Sequence, residues 1–166
     1  YPHGNVCVGQ QGSLYDKVCA DIVQDVIQYF ISLGRKLTLI GHSMGCYFVL
    51  KALVDLSKPV AANIILLAPF ANLSEITPLP AWMAKLILGQ SRLSNVCCAR
   101  ELSYRQNPLR SMVYILHGSE DTLIPASQSE KLARVLSNVR RVMVPQADHA
   151  MLPLLQKAFS NRYAQA

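Results

Sequence analysis

The chain has 166 residues, of which 51% are hydrophobic and 16% charged. That suits one domain, residues 1–166, with a sizeable core, and it excludes a disordered chain. Sixteen Lys and Arg against ten Asp and Glu give a net charge of +6, but the basic residues are spread out without aromatic interleaving, which argues against nucleic-acid binding.

Residues 1–12 hold three Gly and one Pro and read as loop. Leu14, Val18, Ile22, Val26 and Phe30 then recur every four residues, beside a second apolar stripe of Tyr15, Cys19, Val23, Ile27 and Ile31. Asp16, Lys17, Asp21, Gln24, Asp25 and Gln28 lie opposite, so the spacing predicts one amphipathic helix from about Ser13 to a stop at Gly34. Residues 37–40 are short, apolar and bounded by Gly41, which predicts a buried strand. Residues 44–57 predict a mostly apolar helix that ends before Pro59.

Strands follow at 61–68 and 112–117. A helix is expected from Ser127 to Ser137, with Ser127 and Glu130 at capping-box spacing. A strand at 139–144 and a last helix at 150–163 complete the chain. Strands alternating with helices imply βαβ units, hence an α/β fold with a mostly parallel sheet and flanking helices. Residues 70–110 break the alternation. Pro78 and Pro80 open this segment, 81–88 reads as a helix, and Asn107-Pro108 closes it. An insertion of this length between strands is expected to be a helical lid.

Five cysteines, Cys7, Cys19, Cys46, Cys97 and Cys98, make no disulfide framework, and the expectation is a reduced, cytoplasmic chain. No apolar run reaches the roughly 18–20 residues that span a bilayer, and no signal peptide is visible. The first residue is Tyr1 rather than Met, which reads as a processed or trimmed chain.

The chemistry concentrates at Gly41-His42-Ser43-Met44-Gly45, a G-x-S-x-G turn between a predicted strand and a predicted helix. Such a turn strains the serine backbone and holds its hydroxyl clear at the carboxyl edge of the sheet. Gly41 and Gly45 are expected to remove side chains that would collide with the neighbouring strand and helix. The Met44 N–H, at the helix start, is expected to face a developing oxyanion.

Here the sequence resembles the α/β-hydrolase superfamily, most closely its esterase, lipase and lysophospholipase-like members. Beyond Ser43, the strand ending His117-Gly118-Ser119-Glu120-Asp121 matches the G-x-x-D turn that carries the family's acid, and Ala147-Asp148-His149 follows the last strand where the family places its histidine. The order Ser, Asp, His is the family's order. The resemblance implies Ser43 as nucleophile, His149 as general base and acid, and Asp121 as its orienting carboxylate, with Glu120 as the fallback acid. His42 and His117 are expected to be structural.

Two departures stand out. Asp148 replaces the usual Gly before the histidine and is expected to face solvent, the alternative being that it raises the His149 pKa. The match also starts only after the family's first strands and the loop that supplies its second oxyanion N–H. His3-Gly4-Asn5 looks like that loop's signature but lies too close to Ser43. An upstream segment or a second chain is therefore expected to pair with the edge at Leu37–Ile40, and the isolated chain to dimerise or aggregate there.

The expected activity is hydrolysis of a small-molecule carboxylic ester or thioester through an acyl-enzyme, with no cofactor. A serine peptidase or an acyltransferase would use the same triad, and a catalytically silent binding domain is the non-enzymatic alternative. Scattered histidines argue against a metal site, and no G-x-G-x-x-G fingerprint supports a dinucleotide. Trp82, Met83, Leu86, Ile87 and Leu88 are candidates to line an acyl pocket. Lys85, Arg92, Arg100, Arg105 and Arg110 outnumber Glu75 and Glu101 in the insertion, so contact with an anionic lipid or membrane surface is the alternative to a solvated face.

Overall fold

The computed structural model describes residues 12–56, 58–72, 75–76, 95–104, 111–151 and 154. Residues 1–11 of the loop expected over 1–12, the helix at 81–88 with Trp82, Met83 and Leu86, and the body of the last helix lie outside the described residues, and Gly12 already belongs to the first helix.

Helix α1 (Gly12–Ser32) stops as its sequence expects. Gly34 takes φ +66°, a conformation that costs glycine nothing. Its N–H donates to Ile31 O and the Arg35 N–H to Phe30 O, at 2.9 and 3.1 Å. Those two bonds satisfy carbonyls that a helix end leaves open. The buried face is narrower than the two apolar stripes predict. Ala20 and Ile27 are 1% exposed, whereas Val18, Ile22 and Val26 are each 45% exposed. Helix α1 packs on its neighbour α2 (Met44–Asp55) and only lightly on the sheet, so a single strip of its surface is covered.

The sheet has four strands, β1 (Leu37–His42), β2 (Ala62–Leu67), β3 (Val113–Gly118) and β4 (Val139–Val144), in the order β1-β2-β3-β4 and all parallel. The register pairs His42 with Leu67, Leu67 with Leu116, and Gly118 with Val144. The carboxyl ends of the strands therefore share one edge, where open α/β sheets bind ligands. Among the described strands β1 forms one edge and β4 the other. None of residues 37–40 of β1 is buried, against the expected buried strand. The burial of β1 alternates, and Ile40 is 61% exposed.

Alternate residues of the strands serve two faces. Ile64, Leu66, Val113 and Ile115 are fully buried with Cys46, Leu50 and Leu53 of α2. Leu67, with Ile65, Leu116 and Val144 beside it, packs on Ala147 and Met151 across the other face. Helix α3 (Asn95–Tyr104) lies within the expected insertion, yet it buries Cys98, Ala99 and Leu102 in the main core and touches both α2 and α4 (Ala126–Val135).

Helix α4 corrects the expected capping box. Its N-cap is Pro125, with no side-chain cap bond. Ser127 sits inside the first turn and is exposed, so it is helical where a capping serine must be extended. The role of fastening this helix start falls to β4, whose Arg141 donates to Ser129 Oγ and Ala126 O. Buried Gln128 accepts from the Ala71 and Asn72 N–H groups at 3.0 and 2.9 Å, clamping the first residues of the 70–110 segment onto α4. Glu75 extends the clamp, pairing with Lys131 and Gln128. The Lys131 bond above all, then Gln128, holds the Glu75 carboxyl below its ordinary pKa.

Candidate active site

Three turns meet at the carboxyl edge of the sheet. The first follows β1. The Ser43 N–H donates to Leu67 O at 2.9 Å, continuing the strand ladder, and Ser43 O accepts from the Cys46 N–H at 3.0 Å, opening α2. One residue thus serves as both strand end and helix start. It holds φ 52° and ψ −118°, outside the populated regions for a residue with a Cβ. Gly41 makes the turn possible. A Cβ there would stand 2.7 Å from Cys46 Cα and 2.8 Å from Gly45 O.

The crowding expected at Gly45 is not seen among the described residues, where a Cβ on it meets nothing within 4 Å. Among the described residues the crowding falls on the strand side of the turn. Met44 is the first residue of α2, so its N–H is among those that a helix start leaves without an intrahelical acceptor. Cys46 is fully buried behind the turn. Its Sγ donates to Leu67 O, and burial pushes the thiol far above its usual pKa, which makes it packing rather than a nucleophile.

The second turn follows β3 and carries Asp121, whose side chain is 0% exposed. One carboxylate oxygen, Oδ1, accepts from the Leu123 and Ile124 N–H groups at 3.0 and 2.8 Å. The other, Oδ2, lies 2.9 Å from His149 Nδ1. His117, fully buried, bonds Ile124 O through Nε2 at 2.8 Å and so pins the same turn from below. Burial holds the His117 imidazole below its ordinary pKa. Its part is structural, as expected. Glu120 is exposed, and its N–H donates to Ala147 O of the neighbouring loop at 2.9 Å.

The third turn follows β4, three strands from β1, a separation of about 14 Å at the usual strand spacing. His149 reaches the elbow because residues 145–151 fold back over β3. Gly118 permits the crossing: a Cβ there would stand 2.2 Å from Ala147 O. The loop is then sewn to β3 by Glu120 N–H to Ala147 O and by Gln146 N–H to Ser119 Oγ, both at 2.9 Å. Asp148 is exposed and accepts the Ala150 N–H at 3.0 Å, facing solvent as expected.

The loop meets the elbow through His42. Its Nε2 bonds His149 O at 2.8 Å, and the two rings lie 5.1 Å apart. Ser43 Oγ makes no hydrogen bond with the His149 ring among the described residues. Such bonds are often loose until substrate arrives. Ser43 and the His149 side chain, 21% exposed, are the half-open members of the set, and Asp121 is the closed one. Met44, His42 and both glycines of the elbow are brought together with them. Trp82, Met83 and Leu86 lie outside the described residues. Among the described residues no group of three His, Cys, Asp or Glu side chains is placed to hold a metal ion, and no helix is long and apolar enough to cross a membrane.

Gly118 is a site-shaping residue that the motif reading did not single out. Gly118→Ala is expected to displace the crossing loop and with it His149. A shift near 1 Å in a catalytic group costs about 10²-fold. Turnover of the purified variant, read beside its thermal midpoint, checks this. Wild-type turnover would show that the loop does not depend on the close approach.

A family model described as serine hydrolase matches residues 5–152. A comparison with curated protein sequences gives no match. Among solved structures, the chain is similar to the esterase domain of a Rhodothermus marinus protein, with a TM-score of 0.58 and 15% identity over 80% of this chain and 59% of that one. It is also similar to a monoacylglycerol lipase from Paleococcus ferrophilus, with a TM-score of 0.59 and 16% identity over 81% of this chain and 66% of that one. A meta-cleavage product hydrolase from Pseudomonas fluorescens IP01 aligns with a TM-score of 0.57 and 14% identity over 98% of this chain and 72% of that one. The chain thus spans between 59% and 72% of the lengths of these three proteins. At these identities the likeness shows the fold, that of the α/β-hydrolases.

Proposed function

The chain belongs to the serine hydrolase family, and from that premise we propose that it hydrolyses carboxylic esters or thioesters through an acyl-enzyme on Ser43. The observation that carries the reading is the 2.9 Å bond between His149 Nδ1 and buried Asp121, delivered to the edge where Ser43 holds a strained φ of 52°. A serine hydroxyl is a weak nucleophile and needs a base. With Nδ1–H held by Asp121, His149 Nε2 is the free lone pair that takes the serine proton.

In the first step Ser43 Oγ attacks the acyl carbon and its proton passes to His149. The oxyanion is met by the Met44 N–H at the start of α2. Collapse expels the alcohol or thiol, which takes the proton back from His149. Water, deprotonated by the same imidazole, then attacks the acyl carbon, and Ser43 leaves with the proton as the acid is released. No cofactor enters these steps. The experiment is hydrolysis of p-nitrophenyl esters of graded chain length by the purified chain, run beside Ser43→Ala. Turnover lost with Ser43 supports the reading, and serine-independent or absent turnover removes it.

A silent binding domain is the second reading, favoured by a Ser43 hydroxyl that makes no hydrogen bond among the described residues. The same assay separates the two. Peptidase or acyltransferase chemistry would use the same residues and is tested by offering a peptide or a second alcohol as acceptor.

Residues 70–110 are proposed to shape the acyl pocket. The support is the clamp of Ala71, Asn72 and Glu75 on α4, which fixes where the segment leaves the sheet edge. Trp82→Ala is expected to change the chain-length profile of ester hydrolysis more than it changes turnover of a short acetate ester. An unchanged profile would count against the pocket.

A further inference from the structure

We propose that His42 is a positioning residue that sets the distance between the nucleophile and its base, an inference that rests on the triad reading above. The loop that carries His149 crosses the sheet from β4, and its anchors lie on the β3 side. These are Ala147 O to the Glu120 N–H, the Gln146 N–H to Ser119 Oγ, and the His149 ring to Asp121. Among the described residues, the hydrogen bond that ties this loop to the nucleophile's own strand is His42 Nε2 to His149 O, at 2.8 Å.

A carbonyl only accepts, so Nε2 of His42 carries the proton and donates. His42 is the residue immediately before Ser43, on the last position of β1. The bond therefore links the backbone of the nucleophile to the backbone of the base through one side chain. The tilted ring contact at 5.1 Å adds a lateral stop. Asp121 chooses the tautomer of His149 and holds one end of its ring. His42 fixes where the ring stands relative to Ser43. A group so held acts through geometry, and misplacement on the order of 1 Å carries a rate cost near 10²-fold.

The test uses two variants of the same bulk. His42→Met keeps an unbranched side chain of similar reach and removes the donor. His42→Gln keeps a donor at the reach of Nε2. His42→Met is expected to lower kcat by about 10- to 100-fold with little change in KM, and His42→Gln to recover most of the loss. A second reading is taken on the unliganded protein: the downfield proton resonance of the His149 Nδ1–H···Asp121 bond, sharp in the wild type, broadened in His42→Met and restored in His42→Gln.

Wild-type kcat in His42→Met, or equal losses in Met and Gln, would overturn the proposal. So would an unchanged resonance in His42→Met. If the wild type turns over no ester, the hydrolase reading fails, and the resonance still decides whether His42 places His149.

Discussion

Ser43→Ala is expected to reduce ester turnover by about 10⁴- to 10⁶-fold without unfolding the protein. The serine removed is half-buried at the open edge of the sheet, and its hydroxyl makes no bond to the core among the described residues. What holds the turn is backbone: the Ser43 N–H on Leu67 O and Ser43 O on the Cys46 N–H. Both bonds survive in alanine, and the strained φ of 52° is the same burden for either residue. Chemistry and stability are therefore separable at this position. Initial rates on a short ester, with circular dichroism and the thermal midpoint as controls, give the answer. A folded Ser43→Ala protein with appreciable turnover would remove Ser43 from the reaction.

Asp121→Asn is expected to cost roughly 10⁴-fold in turnover. The carboxylate has no exposed side-chain surface and its hydrogen bonds are directed, Oδ1 to two N–H groups and Oδ2 to His149 Nδ1, with His117 Nε2 a further 3.5 Å from Oδ2. An asparagine can still accept the two backbone bonds through its carbonyl oxygen. Its amide nitrogen then faces His149 and donates. The imidazole must answer with a bare Nδ1 and carry its proton on Nε2, which is the tautomer that cannot take a proton from serine. Glu120→Gln serves as the control, since Glu120 is exposed and contributes its backbone to the Ala147 bond. Turnover that falls with Glu120→Gln and survives Asp121→Asn would move the acid by one residue.

The sheet was legible because β1, β2 and β3 are short apolar runs and β4 is rich in valine. Val139–Val144 coincides with its prediction, and β1 and β3 run only one or two residues past theirs. Ser43, Asp121 and His149 each lie in a turn that follows a strand, and such strand ends are marked in sequence. Features set by tertiary contact were less legible. Both stripes of α1 are apolar, and where α2 lies leaves Ile27 buried while Val18, Ile22, Val26 and Ile31 stay exposed. Ser127 and Glu130 have capping spacing, yet Pro125 already supplies an extended residue earlier, so the helix begins before Ser127.

The glycines repeat the lesson. Gly41 and Gly45 are symmetric in the motif, but among the described residues the first alone is crowded, on the strand side of the turn. Gly118 looked like part of the acid turn. Its sharper constraint comes from Ala147, which arrives from another strand and leaves no mark in the local sequence. His42 likewise gives no sequence signal for its bond to His149, because that pairing spans 107 residues.

The most direct measurement is covalent labelling with a fluorophosphonate, a probe that phosphonylates a serine only when a base activates it, followed by mass spectrometry of the intact chain and of its peptides. One adduct per chain is expected, on the peptide that contains Ser43. No adduct is expected in Ser43→Ala, and much slower labelling in Asp121→Asn. Absence of an adduct on the wild-type chain, or an adduct on any other residue, would contradict Ser43 as the activated nucleophile.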